Sequence, residues 1–259
     1  GSKVDEDWLR FDFTNMSGVS GEQLSAIEAD VQVQVAAAAP VRWQYMPLSE
    51  ARKTGAMMLF GEKYPDPVRL VAMGEFSKEL CGGTHLTNTS EVGAFEIITE
   101  EGVAAGTRRI IALTGAKALQ HEQRTRETLQ AAAEQLGCAA LALPSAVRSL
   151  AQFARELRKQ LSSGGAAPTQ EPIDKAAGQG APAYGALRAA LRDTARLLNV
   201  SPFDVPDRLS TLQAEIESLK HQIARLAAAG TVSAESLLER AVAVGGTRVV
   251  IAETPGANS

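Results

Sequence analysis

The sequence contains few of the residues on which several classes of protein depend. Its 259 residues include only two cysteines, Cys81 and Cys138, and three histidines. Two cysteines in a chain of this length do not build a disulfide scaffold, so we expect reduced thiols and a cytoplasmic location. Aromatic residues make up only 5% of the chain, and alanine is abundant, which favours helix over a β-sandwich.

The sequence also lacks a strong excess of charge and any long apolar run. Lysine plus arginine number 26 and aspartate plus glutamate 30, which gives a formal net charge of −4. A uniformly basic nucleic-acid binder is therefore not expected, although the composition does not exclude a basic patch on one face. No apolar stretch approaches the roughly 18–20 residues that span a bilayer, and the polar residues 1–10 do not resemble a signal peptide. We therefore expect no membrane partner.

Up to about residue 115 the pattern predicts an α+β region with many short strands. A helix is predicted from Ser20 to Ala39, because Ser20 and Gln23 form a potential capping box and Pro40 stops the helix. A shorter helix is predicted to end at Gly55. Strands are predicted at residues 9–13, 41–46, 68–73, 94–98 and 108–113, the last two separated by a turn at Gly102 and Gly106.

From about residue 115 the sequence is almost entirely helical and contains an internal repeat. Residues 129–150 align without gaps with residues 191–212. In each copy a helix ends at a typical capping residue, Gly137 or Asn199, and a proline precedes a second helix. That second helix carries apolar residues at three-and-four spacing, which predicts a helical hairpin or coiled coil and permits a homodimer. The two stripes are Leu150, Phe153, Leu157 and Leu161, and Leu212, Ile216, Leu219, Ile223 and Leu226.

These patterns divide the chain into five expected parts. The α+β part is followed by two helical copies with a linker between them that is rich in Gly, Ala, Pro and Gln and is expected to be flexible. The final part is rich in valine, and Gly245-Gly246 predicts a hairpin that begins a new sheet. The parts are residues 1–116, 117–161, 162–184 (the linker), 185–232 and 233–259.

One motif, Cys-Gly-Gly-Thr-His at residues 81–85, carries chemistry. Thiolate and imidazole are preferred zinc ligands, and the two glycines permit tight turns and close approach of a substrate. Two ligands do not complete a site, since a structural zinc needs four protein ligands and a catalytic zinc three plus water. A buried thiol beside a polar loop and a nucleophilic Cys81–His85 pair stay open as alternatives. The carboxylates of Glu75 and Glu79 are near in sequence, but nothing distinguishes either.

Four segments of the sequence resemble alanyl-tRNA synthetases, in that family's order and spacing. They are LRFDF at residues 9–13, GAMMLFGEKY at 55–64, FSKELCGGTH at 76–85 and GVAAGTRRI at 102–110. The resemblance covers about residues 1–120 and implies the second half of an editing domain, a mixed sheet with helices. The helical part and the last strand resemble that family's connector and the start of its C-terminal α/β domain, which binds tRNA.

The resemblance implies a ligase that attaches alanine to its tRNA with ATP, and an editing region that hydrolyses mischarged alanine tRNA. A pocket that admits alanine rejects glycine or serine poorly, so a second, hydrolytic site is needed. By the same resemblance Cys81 and His85 are two zinc ligands, Gly82, Gly83 and Thr84 belong to the editing pocket, and an H-x3-H pair supplies the other ligands. That pair and the aminoacylation domain, with its ATP and magnesium, are not in this sequence. We therefore expect an internal fragment with an incomplete zinc site and no activity alone.

A local basic run predicts contact with tRNA phosphate, with Arg108 and Arg109 as the candidate residues. The alternative is a solvated helix face, because glutamates are interleaved in the run. His121 and His221 lie in charged helical sequence and are expected to be solvated. Two other functions stay open: a free-standing alanyl-tRNA editing hydrolase, and a helical dimerisation module without activity. The basic run consists of Arg108, Arg109, Lys117, Arg124 and Arg126.

Overall fold

The computed structural model describes residues 1–58, 63–163, 168, 181–230, 242–244 and 247–249. The fold is α+β, as the sequence predicts, with antiparallel sheets followed by long helices. The chain forms two compact units, residues 1–124 and 125–259.

The first sheet of the N-terminal unit is antiparallel with strand order β1-β2-β7-β6. Its strands are β1 (Ser2–Val4), β2 (Leu9–Thr14), β6 (Phe95–Ala104) and β7 (Thr107–Thr114). Ile97, Ile110 and Ala112 form its small buried core. Helix α1 (Gly21–Ala36) contributes Leu24 to that core, and Ser20 and Gln23 form the predicted capping box at its start.

The predicted turn between the last two strands is wrong at Gly102. Gly102 lies within β6, opposite Arg108 of β7, and the turn is formed by the residues around Gly106, which has a φ of 70°. A Cβ atom at Gly102 would lie 2.9 Å from Nη1 of Arg108. The glycine therefore leaves room for the arginine side chain to cross the neighbouring strand.

The second sheet has the antiparallel order β3-β4-β5 and carries the Cys81–His85 motif at its edge. Its strands are β3 (Val41–Met46), β4 (Val68–Met73) and β5 (Ser77–Leu80). The short helix α2 (Leu48–Ala51) follows β3, and after one further 3-10 turn the chain reaches Gly55 at a φ of 73°, as the sequence predicts. Strand β4 lies in the centre of this sheet, and its residues Val68, Leu70 and Val71 are almost fully buried.

Four α-helices lie wholly or partly in the described part of the second unit, and both repeat copies have the predicted form. They are α3 (Gly115–Leu136), whose last turns belong to this unit, α4 (Leu143–Ser163), α5 (Tyr184–Leu198) and α6 (Val205–Gly230). Gly137 and Asn199 both adopt the left-handed conformation after their helices, at φ values of 64° and 53°. Each is followed by a short loop and a helix with proline at its second residue.

The apolar stripes of α4 and α6 are buried against each other and against α3 and α5 within one chain. Contacts of Phe153 with Lys220 and of Arg158 with Glu215 show that α4 and α6 run antiparallel. The predicted stripe ends early, because Leu226 is 59% exposed. Burial decreases along the last turns of α6, where the core ends. A homodimer through these helices stays a prediction.

None of the described helices is by itself long and apolar enough to cross a membrane. The helices over residues 115–136 and 140–163 meet that criterion only as a pair, across a bend of 78°. Most of the predicted linker, and Gly245-Gly246, fall outside the described residues. The predicted terminal hairpin is confirmed, since β8 (Val242–Val244) and β9 (Thr247–Val249) pair antiparallel. That these strands begin a tRNA-binding domain stays a prediction.

Candidate metal centre

Strand β5 and the residue that follows it place two potential metal ligands on one face of the second sheet. Glu79 lies opposite Val71 of β4, and the backbone N–H of Cys81 continues the pairing by donating to the carbonyl oxygen of Arg69 at 3.2 Å. Because side chains alternate along a strand, residues two apart lie on the same side. The thiol of Cys81 and the carboxylate of Glu79 therefore face the same way.

The loop after β5 returns His85 to the same place. The Arg69 guanidinium donates to the carbonyl oxygens of Gly83 and Cys81, which fixes the loop backbone against β4. Neither loop glycine has a positive φ. An added Cβ would meet nothing within 4 Å at Gly82 and only the Cys81 sulfur, at 3.6 Å, at Gly83. The loop conformation therefore does not require glycine, and the space beside it is open.

The donor atoms of Glu79, Cys81 and His85 all lie within 4.8 Å of one another, and all three residues are half-buried. Nδ1 of His85 is buried and has no hydrogen-bond partner among the described residues. A buried polar nitrogen without a partner is costly, and a bound ion is one of the few ways to satisfy it. Carboxylate, thiolate and imidazole are the three donors that zinc accepts in proteins. The cluster therefore fits a zinc ion with a fourth position open.

The structure distinguishes the two carboxylates that the sequence left equivalent. Glu75 points into solvent, where its side chain is 93% exposed and pairs with Lys78 at 3.1 Å. Glu79 is the third donor of the cluster. The available signal for Glu79 was its position two residues before Cys81 in an extended segment, where alternate side chains lie on the same side. Gly82, Gly83 and Thr84 are exposed beside the cluster, and their role in catalysis stays a prediction.

Arg108 and Arg109, the candidate tRNA contacts, are both engaged within the first sheet. Nε and Nη2 of Arg108 donate to Glu100 at 2.6 Å each. Nε and Nη2 of Arg109 donate to Asp12 at 2.7 and 3.1 Å. Such two-point pairs link neighbouring strands and are geometrically specific. A phosphate contact by either arginine stays a prediction.

Acid is expected to destabilise the first sheet through these pairs. Arg109 and Arg108 hold the pKa values of the Asp12 and Glu100 carboxyls below their ordinary values of 3.8 and 4.5. The folded state favours the ionised carboxylates, so their contribution is complete above the ordinary values and is lost as pH falls through the lowered ones. The urea concentration at the midpoint of unfolding should therefore decrease as the pH is lowered from about 6 to about 3. The variant Arg109→Met, measured in parallel, should show a weaker dependence; an unchanged dependence would contradict the role of the Asp12 pair.

The prediction that His121 is a solvated residue is wrong. Its Nδ1 lies 2.9 Å from Oε2 of Glu96, whose side chain is only 5% exposed. The first turns of α3 follow β7 directly, so His121 reaches the carboxylate on the neighbouring strand β6. This contact depends on the tertiary fold and has no local sequence signal. His221 is exposed, as predicted.

Comparisons with known proteins agree with the resemblance in the sequence. A family profile described as "Threonyl and Alanyl tRNA synthetase second additional domain" matches residues 68–111. The alanine–tRNA ligase of Rhodopirellula baltica is 47% identical over 264 aligned residues, which cover 100% of this chain and 28% of the relative. That of Alkaliphilus oremlandii is 42% identical over 183 residues, 68% of this chain and 20% of the relative. The chain thus spans less than a third of these curated relatives.

Proposed function

The chain belongs to the alanyl-tRNA synthetase family, and we propose that it provides the editing region, which hydrolyses serine or glycine mischarged onto alanine tRNA. The observation that carries the proposal is the cluster of Glu79, Cys81 and His85 with its unpartnered imidazole nitrogen. The resemblance of the segment that holds this cluster to the family's editing domain supports the proposal. Attachment of alanine with ATP and magnesium would belong to another part of the enzyme.

Zinc is the cofactor that the donor set favours, with Glu79, Cys81 and His85 as the residues that would hold it. When bound, zinc would supply a Lewis acid for ester hydrolysis. In that reaction water adds to the aminoacyl carbonyl, and the bond to the ribose oxygen breaks. The products are the free amino acid and the uncharged tRNA.

The residues of the chain contribute by orienting the substrate beside this cluster. Arg69 donates to the carbonyl oxygens of Cys81 and Gly83, which ties the exposed loop that contains Gly82 and Thr84 to β4. A substrate can approach this backbone closely, because nothing lies within 4 Å of the position of a Cβ at Gly82. Fixed polar groups beside a reacting ester favour hydrolysis because they need no rearrangement in the transition state.

The two cysteines of the chain provide a matched test of this function. Serine-charged alanine tRNA is incubated with the full-length parent enzyme, and release of serine is measured for Cys81→Ser and Cys138→Ser. The rate for the first variant should fall about a hundredfold or more. Removing a residue that only hydrogen-bonds to a metal ligand already costs about 10–100-fold, and losing a ligand itself should cost more. The second should be unchanged, because Cys138 lies in the helical unit, where burial raises the pKa of its thiol. Equal rates for Cys81→Ser and the parent would overturn the proposal.

A further inference from the structure

A cationic groove lies in the helical unit, on residues that the proposed editing site does not use. It is a cleft of about 280 Å³ between α4, the end of α5 and the start of α6. Four arginines line it, and we call it the arginine groove. They are Arg148, Arg155 and Arg158 on α4 and Arg208 on α6.

The period of the α-helix places the three arginines of α4 along one side of that helix. Arg148 and Arg155 are seven residues, or about two turns, apart on α4, and Arg158 follows one turn later. Arg208 lies in the first turn of α6. The floor contains the small residues Ala151 and Ala154, so the guanidinium groups border an open space.

The positive charge of the groove is mostly uncompensated. Arg158 pairs with Glu215 at 2.5 Å. Within the described part of the chain, Arg148, Arg155 and Arg208 form no ion pair with a carboxylate. The chain as a whole carries a net charge of −4, so this is a local concentration of one sign. Such a concentration attracts a polyanion, and the planar guanidinium matches phosphate oxygens with two donors at once.

We propose that the arginine groove binds the phosphate backbone of the tRNA whose aminoacyl end the editing region would hydrolyse. The inference rests on the proposed function for the identity of the RNA. An acidic peptide fits less well, because protein partners anchor through large apolar side chains, and the lining offers only Leu197 as an exposed one, at 41%. Arg108 and Arg109, the pair that the sequence predicted, are held by carboxylates, whereas three of the four groove arginines are not.

The test measures binding of alanine tRNA to the chain and to a triple variant, Arg148→Ala, Arg155→Ala and Arg208→Ala, by fluorescence anisotropy. Salt is varied from about 50 to about 200 mM. The variant should bind about tenfold or more weakly at the lowest salt. The slope of the logarithm of the binding constant against the logarithm of the salt concentration should be shallower by about 3. Each lost phosphate contact reduces this slope by about 1.

A charge-matched control carries Arg42→Ala, Arg52→Ala and Arg225→Ala, three exposed arginines outside the groove. It should bind as the parent chain does, and circular dichroism should show unchanged helix content for both variants. Equal affinity of the groove variant and the parent chain would overturn the groove and leave the editing proposal intact, since that proposal is tested at Cys81. Equal weakening by the control, or a weaker affinity with an unchanged salt slope, would also overturn it.

Discussion

Replacing Glu79 by glutamine is expected to remove zinc from the chain, whereas Glu75→Gln should retain it. Glu79 is one of three clustered donors, while Glu75 lies four residues earlier with its side chain 93% exposed. Metal analysis after dialysis should find about one zinc per chain in the parent and in Glu75→Gln. Removing a residue that hydrogen-bonds to a metal ligand typically lowers metal affinity about 10–100-fold, so removing the ligand Glu79 itself should lower it about a hundredfold or more.

Cobalt substitution adds a readout that does not depend on activity. Thiolate coordination gives cobalt a characteristic absorbance, which should appear in the parent chain and in Glu75→Gln and disappear in Cys81→Ser. A loss in affinity below about tenfold for Glu79→Gln would place Glu79 outside the ligand set. A parent chain that holds no zinc would show that the three donors do not suffice, which is the expectation that the sequence alone supports. Circular dichroism of each variant controls for unfolding.

The parts of the fold that the sequence predicts are those with local causes. The capping box of Ser20 and Gln23 depends on residues three apart, and the helix ends at Gly137 and Asn199 depend on the left-handed conformation of one residue each. The repeat strengthens the second prediction, because two stretches with the same pattern fold alike. Alternation and helical periodicity work in the same way, since they need only the spacing along the chain.

The features that the sequence misses depend on contacts that form only in the tertiary fold. Gly102 looks like a turn residue, yet it lies within a strand, where the absence of a side chain leaves room for the guanidinium of Arg108. His121 looks solvated, yet from helix α3 it contacts a buried carboxylate on strand β6. Glu79 is one of several acidic residues until the return of the loop brings His85 beside it. In each case the deciding contact forms only when the chain folds back on itself, so the pattern along the sequence did not single out these residues.

Replacing Leu209 by alanine is expected to destabilise the helical unit by about 2–5 kcal/mol. Leu209 is fully buried in the core of α3, α4, α5 and α6, so truncation removes apolar contacts and leaves a cavity. Leu226→Ala, on the same helix, is the matched control and should cost less than about 0.5 kcal/mol, because Leu226 is 59% exposed. Both free energies of unfolding come from urea titrations followed by circular dichroism.

The same pair of variants separates a core within one chain from a homodimer. If the stripe of α6 is completed by a second copy of the chain, Leu226 is buried in that interface, and Leu226→Ala destabilises as strongly as Leu209→Ala. The urea midpoint of the parent then also rises with protein concentration, because association stabilises only the folded state. A small effect at Leu226 together with a concentration-independent midpoint assigns the apolar stripes to packing within the chain. Such a result selects the helical hairpin, one of the two arrangements that the sequence permits, over a dimer through this helix, and it leaves the polar side of α4 accessible to RNA.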